Sequence, residues 1–196
     1  MEFNNKEIMM KQSGVFQLEG TRIIYLNGSV TDEMAFWFNT LLLQLEAKDA
    51  NEDIVVYINS PGGSVSAGLS MIDTMNLISC DVSTVCVGMA ASMGAMLLLS
   101  GEKGKRKILP HSRVLIHQPL LMGGPERQQA SDVKITAENI LRLRDTLYEI
   151  MAEATGQSIE RIEKDCDRDY TLFAEEALEY GLVDEIVKSH KISRRN

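Results

Sequence analysis

The chain is short of the residues that would give it a metal centre, a disulfide framework or a membrane span. Its 196 residues include three cysteines, three histidines, four prolines and one tryptophan, and aromatic residues make up only 6%. Cys80, Cys86 and Cys166 form no CxxC pair and no metal-ligand spacing with the histidines. An odd, scattered set of this kind is the pattern of reduced thiols, so a cytoplasmic protein without a cofactor is expected. Positive charge is also in deficit. The chain carries 20 Lys and Arg against 28 Asp and Glu, a net charge of −8, which argues against a partner bound through nucleic-acid phosphates. The basic tail from Lys188 to Arg195 is too short to reverse that balance and reads as a solvated terminus. The longest apolar run, Met89 to Leu99, is 11 residues broken by Ser92, whereas a bilayer span needs about 20. The first residues, Met1-Glu-Phe-Asn-Asn-Lys-Glu7, lack the charged-then-apolar order of a secretory leader.

What is present reads as one domain, large enough to bury a real core and without internal repeats or a linker. The first 20 residues are polar and are expected to be an irregular, flexible arm; the arm is placed at residues 1–21 and the domain at 22–196. Arg22 to Leu26 reads as a buried strand, closed by the turn pair Asn27-Gly28. Thr31-Asp32-Glu33 caps a helix whose apolar positions Met34, Phe38, Leu41, Leu42 and Leu45 recur every three or four residues. Strand Ile54 to Ile58, turn Ser60 to Gly63 and helix Val65 to Ile78 follow, then strand Val82 to Val87, a small-residue turn and helix Ser92 to Ser100. This alternation with Val/Ile-rich strands predicts an α/β fold built from parallel crossovers. Short strands are expected near Lys107 to Leu109 and Arg113 to Ile116, a long helix from Ser131 to Ala154, and a last helix from Ala174 to Tyr180 stopped by Gly181, before strand Val183 to Val187. The long helix has two apolar faces. It is either an ordinary helix with a broad core face or one that leaves the globule to meet another subunit.

Several residues could carry chemistry, and each has a plain structural alternative. Gly101-Glu-Lys-Gly104-Lys105 lacks the spacing of a phosphate loop and leads into a strand, so it reads as an exposed basic turn. Ser60-Pro-Gly-Gly63 is either a tight turn that needs positive φ, or a way to expose backbone N–H groups to a developing negative charge. Ser92, set among small residues in Gly88-Met-Ala-Ala-Ser-Met-Gly94 at a strand-to-helix turn, is either a capping serine or a nucleophile. A serine nucleophile needs a base. His190 lies in the polar tail and His111 follows Pro110 in a turn, whereas His117 closes a strand at its carboxyl end, where open α/β sheets build their sites. The carboxylate stays undetermined on these grounds, because the run Asp165-Cys-Asp-Arg-Asp169 offers three. Cys166 is a nucleophile on paper, but its acidic neighbours raise rather than lower its pKa.

Four segments together resemble one family: Tyr57-Ile-Asn-Ser-Pro-Gly-Gly63, Gly88-Met-Ala-Ala-Ser-Met-Gly-Ala95, Ser112-Arg-Val-Leu-Ile-His-Gln-Pro119 and Glu179-Tyr-Gly-Leu-Val-Asp184. In the same order, from about Arg22 to Val187, they look like the ClpP family, the proteolytic subunit of the ATP-dependent Clp protease. The resemblance implies a crotonase-like spiral of ββα units with a protruding helix-strand handle at about residues 118–154. It implies a serine endopeptidase that uses no cofactor, with Ser92 as nucleophile, His117 as base and Asp169 as acid, and with the N–H groups of Gly63 and Met93 as oxyanion donors. By the same resemblance, substrate would add as a strand beside Gly63, Ser64, Val65 and Leu120. Asp167 and Arg168 would make contacts between two stacked heptameric rings, and an AAA+ unfoldase of the ClpX, ClpA or ClpC type would deliver unfolded substrates.

The chain departs from the family in three places. The arm lacks a Tyr-Ser-Arg-Leu-Leu-like run, the loop Leu120 to Arg127 is longer, with Met122, Gly123, Gly124 and Pro125 inside it, and Met89 stands where Gln is frequent. The alternatives are a ring subunit that is regulatory or weakly active and needs a paralogue, and an acyl-CoA hydratase or isomerase of the same superfold.

Overall fold

In the computed structural model, residues 13–120 and 129–187 are described. The sheet starts earlier than the sequence suggests. Val15–Gln17 forms strand β1, antiparallel to β2 (Ile23–Asn27), with Val15 fully buried. The expected irregular arm therefore ends before residue 15. The reason is local: Val15, Phe16 and Gln17 are too few to give a readable alternation, and it is the pairing with β2 that orders them.

From β2 the chain follows the expected alternation. Thr31 caps α1 (Asp32–Lys48) by accepting the Met34 N–H at 3.1 Å, and Met34, Phe38, Leu41, Leu42 and Leu45 are buried as their spacing requires. Strand β3 (Ile54–Ser60), helix α2 (Val65–Leu77) and strand β4 (Val82–Ala91) then place β2, β3 and β4 side by side and parallel. Strand β4 runs four residues beyond the expected Val87, through the segment read as a turn. It changes partner on the way: Thr84 to Cys86 pair with β5 (Arg106–Ile108), and Met89 to Ala91 pair with β6 (Arg113–Ile116). The switch falls at Gly88, whose φ of 79° lets the strand turn between the two partners. Among the described residues eight strands form the sheet, in the order β1-β2-β3-β4-β5-β8, with β6 branching from β4 and β7 (Tyr170–Phe173) antiparallel to β6.

Helix α3 (Met93–Leu99) is buried along its whole length against this sheet. Helix α4 (Ala130–Thr155) behaves differently at its two ends. Leu147, Tyr148 and Met151 are buried near its C-terminus, while Val133, Ile135, Leu141 and Leu143 are exposed. Of the two sequence readings, the one in which the helix leaves the globule fits these residues. The short helix α5 (Ile159–Asp165) and strand β7 were not anticipated, because the acidic run around Asp165 hides their few apolar positions, Ile162 and Leu172. Helix α6 (Ala174–Tyr180) ends at Gly181 in the left-handed conformation, as expected, and β8 (Glu185–Ile186) closes the sheet edge.

A buried ion pair that no local pattern announces links the sheet edge to α4. The guanidinium of Arg106 is 3% exposed, meets Asp184 through Nη2 at 2.6 Å and Nε at 2.8 Å, and donates to the carbonyl of Ala154 at 2.9 Å. Burial alone would raise the Asp184 pKa, but donors from the Arg106 side chain and backbone and from Gly104 outweigh it and hold it below the ordinary carboxylate value. Among the described residues, no helix is long and apolar enough to cross a membrane.

Candidate active site

Strand β4 ends at Ala91 and α3 begins at Met93, so Ser92 alone makes the turn between them. It does so at φ 53° and ψ −122°, the single non-glycine residue with positive φ among those described. A serine placed there to cap the helix would accept an N–H, and Ser92 makes no such bond. Its own N–H is held by Leu115 O of β6 at 2.8 Å. The strain therefore aims the hydroxyl without using it structurally, which is the arrangement that exposes a nucleophile at a strand-to-helix turn.

The Ser60 to Gly63 turn lies directly against it. A Cβ on Gly62 would come within 2.6 Å of Ser92 Cβ and 3.1 Å of Met93 N, so the two turns approach as closely as backbones can. Buried Ser60 accepts the Gly62 N–H through Oγ at 3.1 Å and so holds the turn in place. On its far side, Val30 donates to Gly62 O at 2.8 Å and accepts from Ser64 N at 2.9 Å. In that parallel bridge the N–H and C=O of Gly63 itself point the other way, along an edge that no described strand occupies. Among the described residues, neither the Gly63 N–H nor the Met93 N–H meets an acceptor. Two free donors beside one free hydroxyl can hold the charge of an oxyanion.

His117 follows the last residue of β6. It shares a cleft with Ser92, Val65, Met93, Met96, Ile116, Pro119, Leu147, Tyr148 and Met151. Apart from the hydroxyls and the imidazole, that cleft is apolar, so it would take an apolar side chain. On its other side His117 faces a second cleft, with Gln118, Leu120, Asp167, Arg168 and Asp169. His117 Nδ1 lies 3.7 Å from Asp169 Oδ1, close enough for Coulombic attraction but beyond a hydrogen bond. Asp169 is 74% exposed.

The other residues singled out from sequence are accounted for as follows. Ser64 caps α2 by accepting from Ala67 N, Val65 lines the first cleft and Leu120 is exposed. Asp167 and Arg168 are solvent-facing, 3.8 Å apart. Cys166 is fully buried, and its thiol is pushed up to about 12, by burial first and by Asp165 second, so burial more than charge excludes it as a nucleophile. Cys86 is likewise pushed up to about 12 by burial. The loop residues Met122, Gly123, Gly124 and Pro125, most of the arm, and His190 with its basic tail lie outside the described residues. Sequence reasoning missed two polar groups around the site, Ser60 under the glycine turn and the Gln118 amide beside His117.

Comparison with known proteins identifies the family. A family model described as Clp protease matches residues 6–190. The ATP-dependent Clp protease proteolytic subunit 2 of Prochlorococcus marinus (strain MIT 9313) is 55% identical over 166 residues, covering 85% of this chain and 82% of that protein. The protein of the same name from Prochlorococcus marinus (strain NATL2A) is 53% identical over 171 residues, covering 87% and 84% respectively. The match begins well before Arg22, as the buried β1 does, and the eight-stranded mixed sheet agrees with the crotonase-like α/β fold of that family. The chain belongs to the Clp protease family and is a serine peptidase of the proteolytic-subunit type.

Proposed function

We propose that this chain is an endopeptidase subunit that cleaves unfolded polypeptides with Ser92 as nucleophile, His117 as general base and Asp169 as the group that orients and charges the imidazole. The observation that carries the reading is Ser92 itself, strained at positive φ, bearing no cap bond, and facing His117 across one cleft. His117 takes the Ser92 proton as the oxygen attacks the substrate carbonyl. The negative charge then forms beside the free N–H groups of Gly63 and Met93, and Asp169 stabilises the imidazolium. Collapse of that intermediate returns the proton to the leaving amine. The substrate lies extended along the unpaired edge of Gly63, next to Ser64 and Val65 and near Leu120, and gains main-chain hydrogen bonds there whatever its sequence.

A 196-residue subunit cannot enclose a chamber, and its exposed α4 residues need cover. Both features favour an assembly of subunits; by the family resemblance it is two stacked heptameric rings in which α4 forms the handle and Asp167 and Arg168 meet the facing ring. An AAA+ unfoldase would feed it in the cytoplasm. A second reading has a specific observation in its favour: the 3.7 Å gap between His117 and Asp169 suits a weakly active subunit that needs a paralogue to close it.

The test is hydrolysis of a fluorogenic peptide by the purified chain, with particle size measured in parallel. Ser92→Ala is expected to lower turnover by about a million-fold and to leave assembly intact. Ordinary turnover by that variant sinks the triad. A wild-type chain inert towards a serine-directed fluorophosphonate until a paralogue is added favours the second reading.

A further inference from the structure

Asp169 sits on a short span that is fixed at its ends and nearly free between them. At one end Tyr170 pairs with Ile116 as β7 joins β6. At the other, Cys166 O accepts the backbone N–H of Gln118 at 2.8 Å. Between these anchors Asp167, Arg168 and Asp169 are exposed. One side chain from outside the span grips it. Gln118 Nε2 donates to the carbonyl of Asp167 at 3.0 Å and lies 3.5 Å from its carboxylate. The residue after His117 is thus stitched by backbone and by side chain to the two residues that precede Arg168 and Asp169. An exposed carboxylate on an unheld loop would sample many positions. This amide limits how far Asp169 can drift from His117.

We propose that Gln118 is a positioning residue for catalysis, a side chain that sets the distance between His117 and Asp169 through the Asp167 carbonyl. The proposal rests on the triad reading above. Gln118 is absent from the apolar cleft that contains Ser92, so its loss should act on the chemical step rather than on substrate binding. Among the described residues, the charged groups that border His117 are Asp167, Arg168 and Asp169 across the second cleft, and the first cleft adds the Tyr148 phenol. Freeing the span weakens the support Asp169 gives to the imidazolium that forms as His117 takes the Ser92 proton, so the chemical step slows.

Two substitutions in the full chain test this, with assembly followed by sizing. Gln118→Leu removes the donor, and Gln118→Glu keeps the shape but replaces the donor with a carboxylate. Both are expected to lower kcat for a fluorogenic peptide by about 10- to 100-fold with KM unchanged. Three outcomes overturn the proposal: a Gln118→Glu variant with wild-type kcat, a loss confined to KM, or a loss that tracks breakdown of the assembled particle. Asp169→Asn and Ser92→Ala, measured alongside, separate the two readings. If Asp169→Asn retains full activity, the triad assignment fails; if it is inactive while both Gln118 variants match wild type, only the positioning role fails.

Discussion

Substitution of Gly62 by alanine probes the oxyanion turn without touching any group that reacts. Gly62 adopts φ +92°, and a Cβ there would lie 2.6 Å from Ser92 Cβ, 2.7 Å from Ala91 O and 3.1 Å from Met93 N. Ordinary contact between carbon atoms is about 3.5–4.0 Å, so the turn must retreat from Ser92 by about 1 Å. Gly63, the next residue, retreats with it and takes its N–H away from the place where charge develops. A misplacement of about 1 Å costs about 100-fold in rate, and the positive φ adds about 1–2 kcal/mol of instability. Gly156→Ala is the matched control. Gly156 has φ +75° but nothing within 4 Å of the added carbon, so it carries the backbone cost without the displacement. The assay is steady-state hydrolysis of a fluorogenic peptide by each assembled variant, with thermal midpoints measured on the same samples. Gly62→Ala should lose about 100-fold in kcat/KM, while Gly156→Ala loses about 1 kcal/mol of stability and no activity. A Gly62→Ala enzyme as fast as wild type would refute the close packing of the two turns as the source of the site's geometry. Equal loss of activity in both variants would show that the backbone cost alone explains the effect.

Two further outcomes follow from buried groups. Asp184→Asn strips the charge partner from a guanidinium that is 3% exposed, and should cost about 3 kcal/mol in denaturant unfolding at fixed subunit concentration. Because the folded Asp184 pKa lies below its unfolded value, this stabilisation is present at neutral pH and is lost as acid protonates the folded carboxylate. The wild-type advantage over Asp184→Asn should therefore shrink on acidification, and an unchanged gap would contradict it. Cys86 and Cys166, both pushed up to about 12 by burial, should resist iodoacetamide at pH 8 in the native particle and react once it is unfolded. Mass spectrometry reads the labelled sites, and rapid native labelling with loss of activity would reopen the question of a thiol role.

What could be read in the sequence was what is encoded locally. The cap at Thr31, the apolar spacing of α1, the glycine turn at 62–63 and the stop at Gly181 each depend on residues a few positions apart, and each appears in the structure. Ser92 and His117 were legible for the same reason, since a strand end and a strand-to-helix turn announce themselves in short stretches. The carboxylate was not legible from spacing, and Asp169 came only from the family resemblance. Asp165, Asp167 and Asp169 share one acidic run, and only the β6–β7 pairing, fixed by residues more than 50 positions apart, places Asp169 beside His117. Arg106 was invisible for the same physical reason: its partners, Asp184 and Ala154, lie 78 and 48 residues away.

These distances divide the site into two mechanical halves. The half that holds Ser92 is interlocked: Ser60 bonds Gly62, Gly62 abuts Ser92, Leu115 fixes the Ser92 N–H, and Ser60 and Gly62 are buried. Its geometry has little freedom, so errors there are paid in full, as Gly62→Ala should show. The half that holds Asp169 is a three-residue span in solvent, gripped from outside by one amide. A soft half of this kind is where small energies decide whether the base is supported. A hydrogen bond of about 1 kcal/mol is minor for a fold, yet applied at the Asp167 carbonyl it acts directly on the distance from Asp169 to His117. The two halves therefore predict opposite balances of effect. Substitutions around Ser92 should lower stability and rate together, whereas substitutions at Gln118 should lower rate with little change in unfolding.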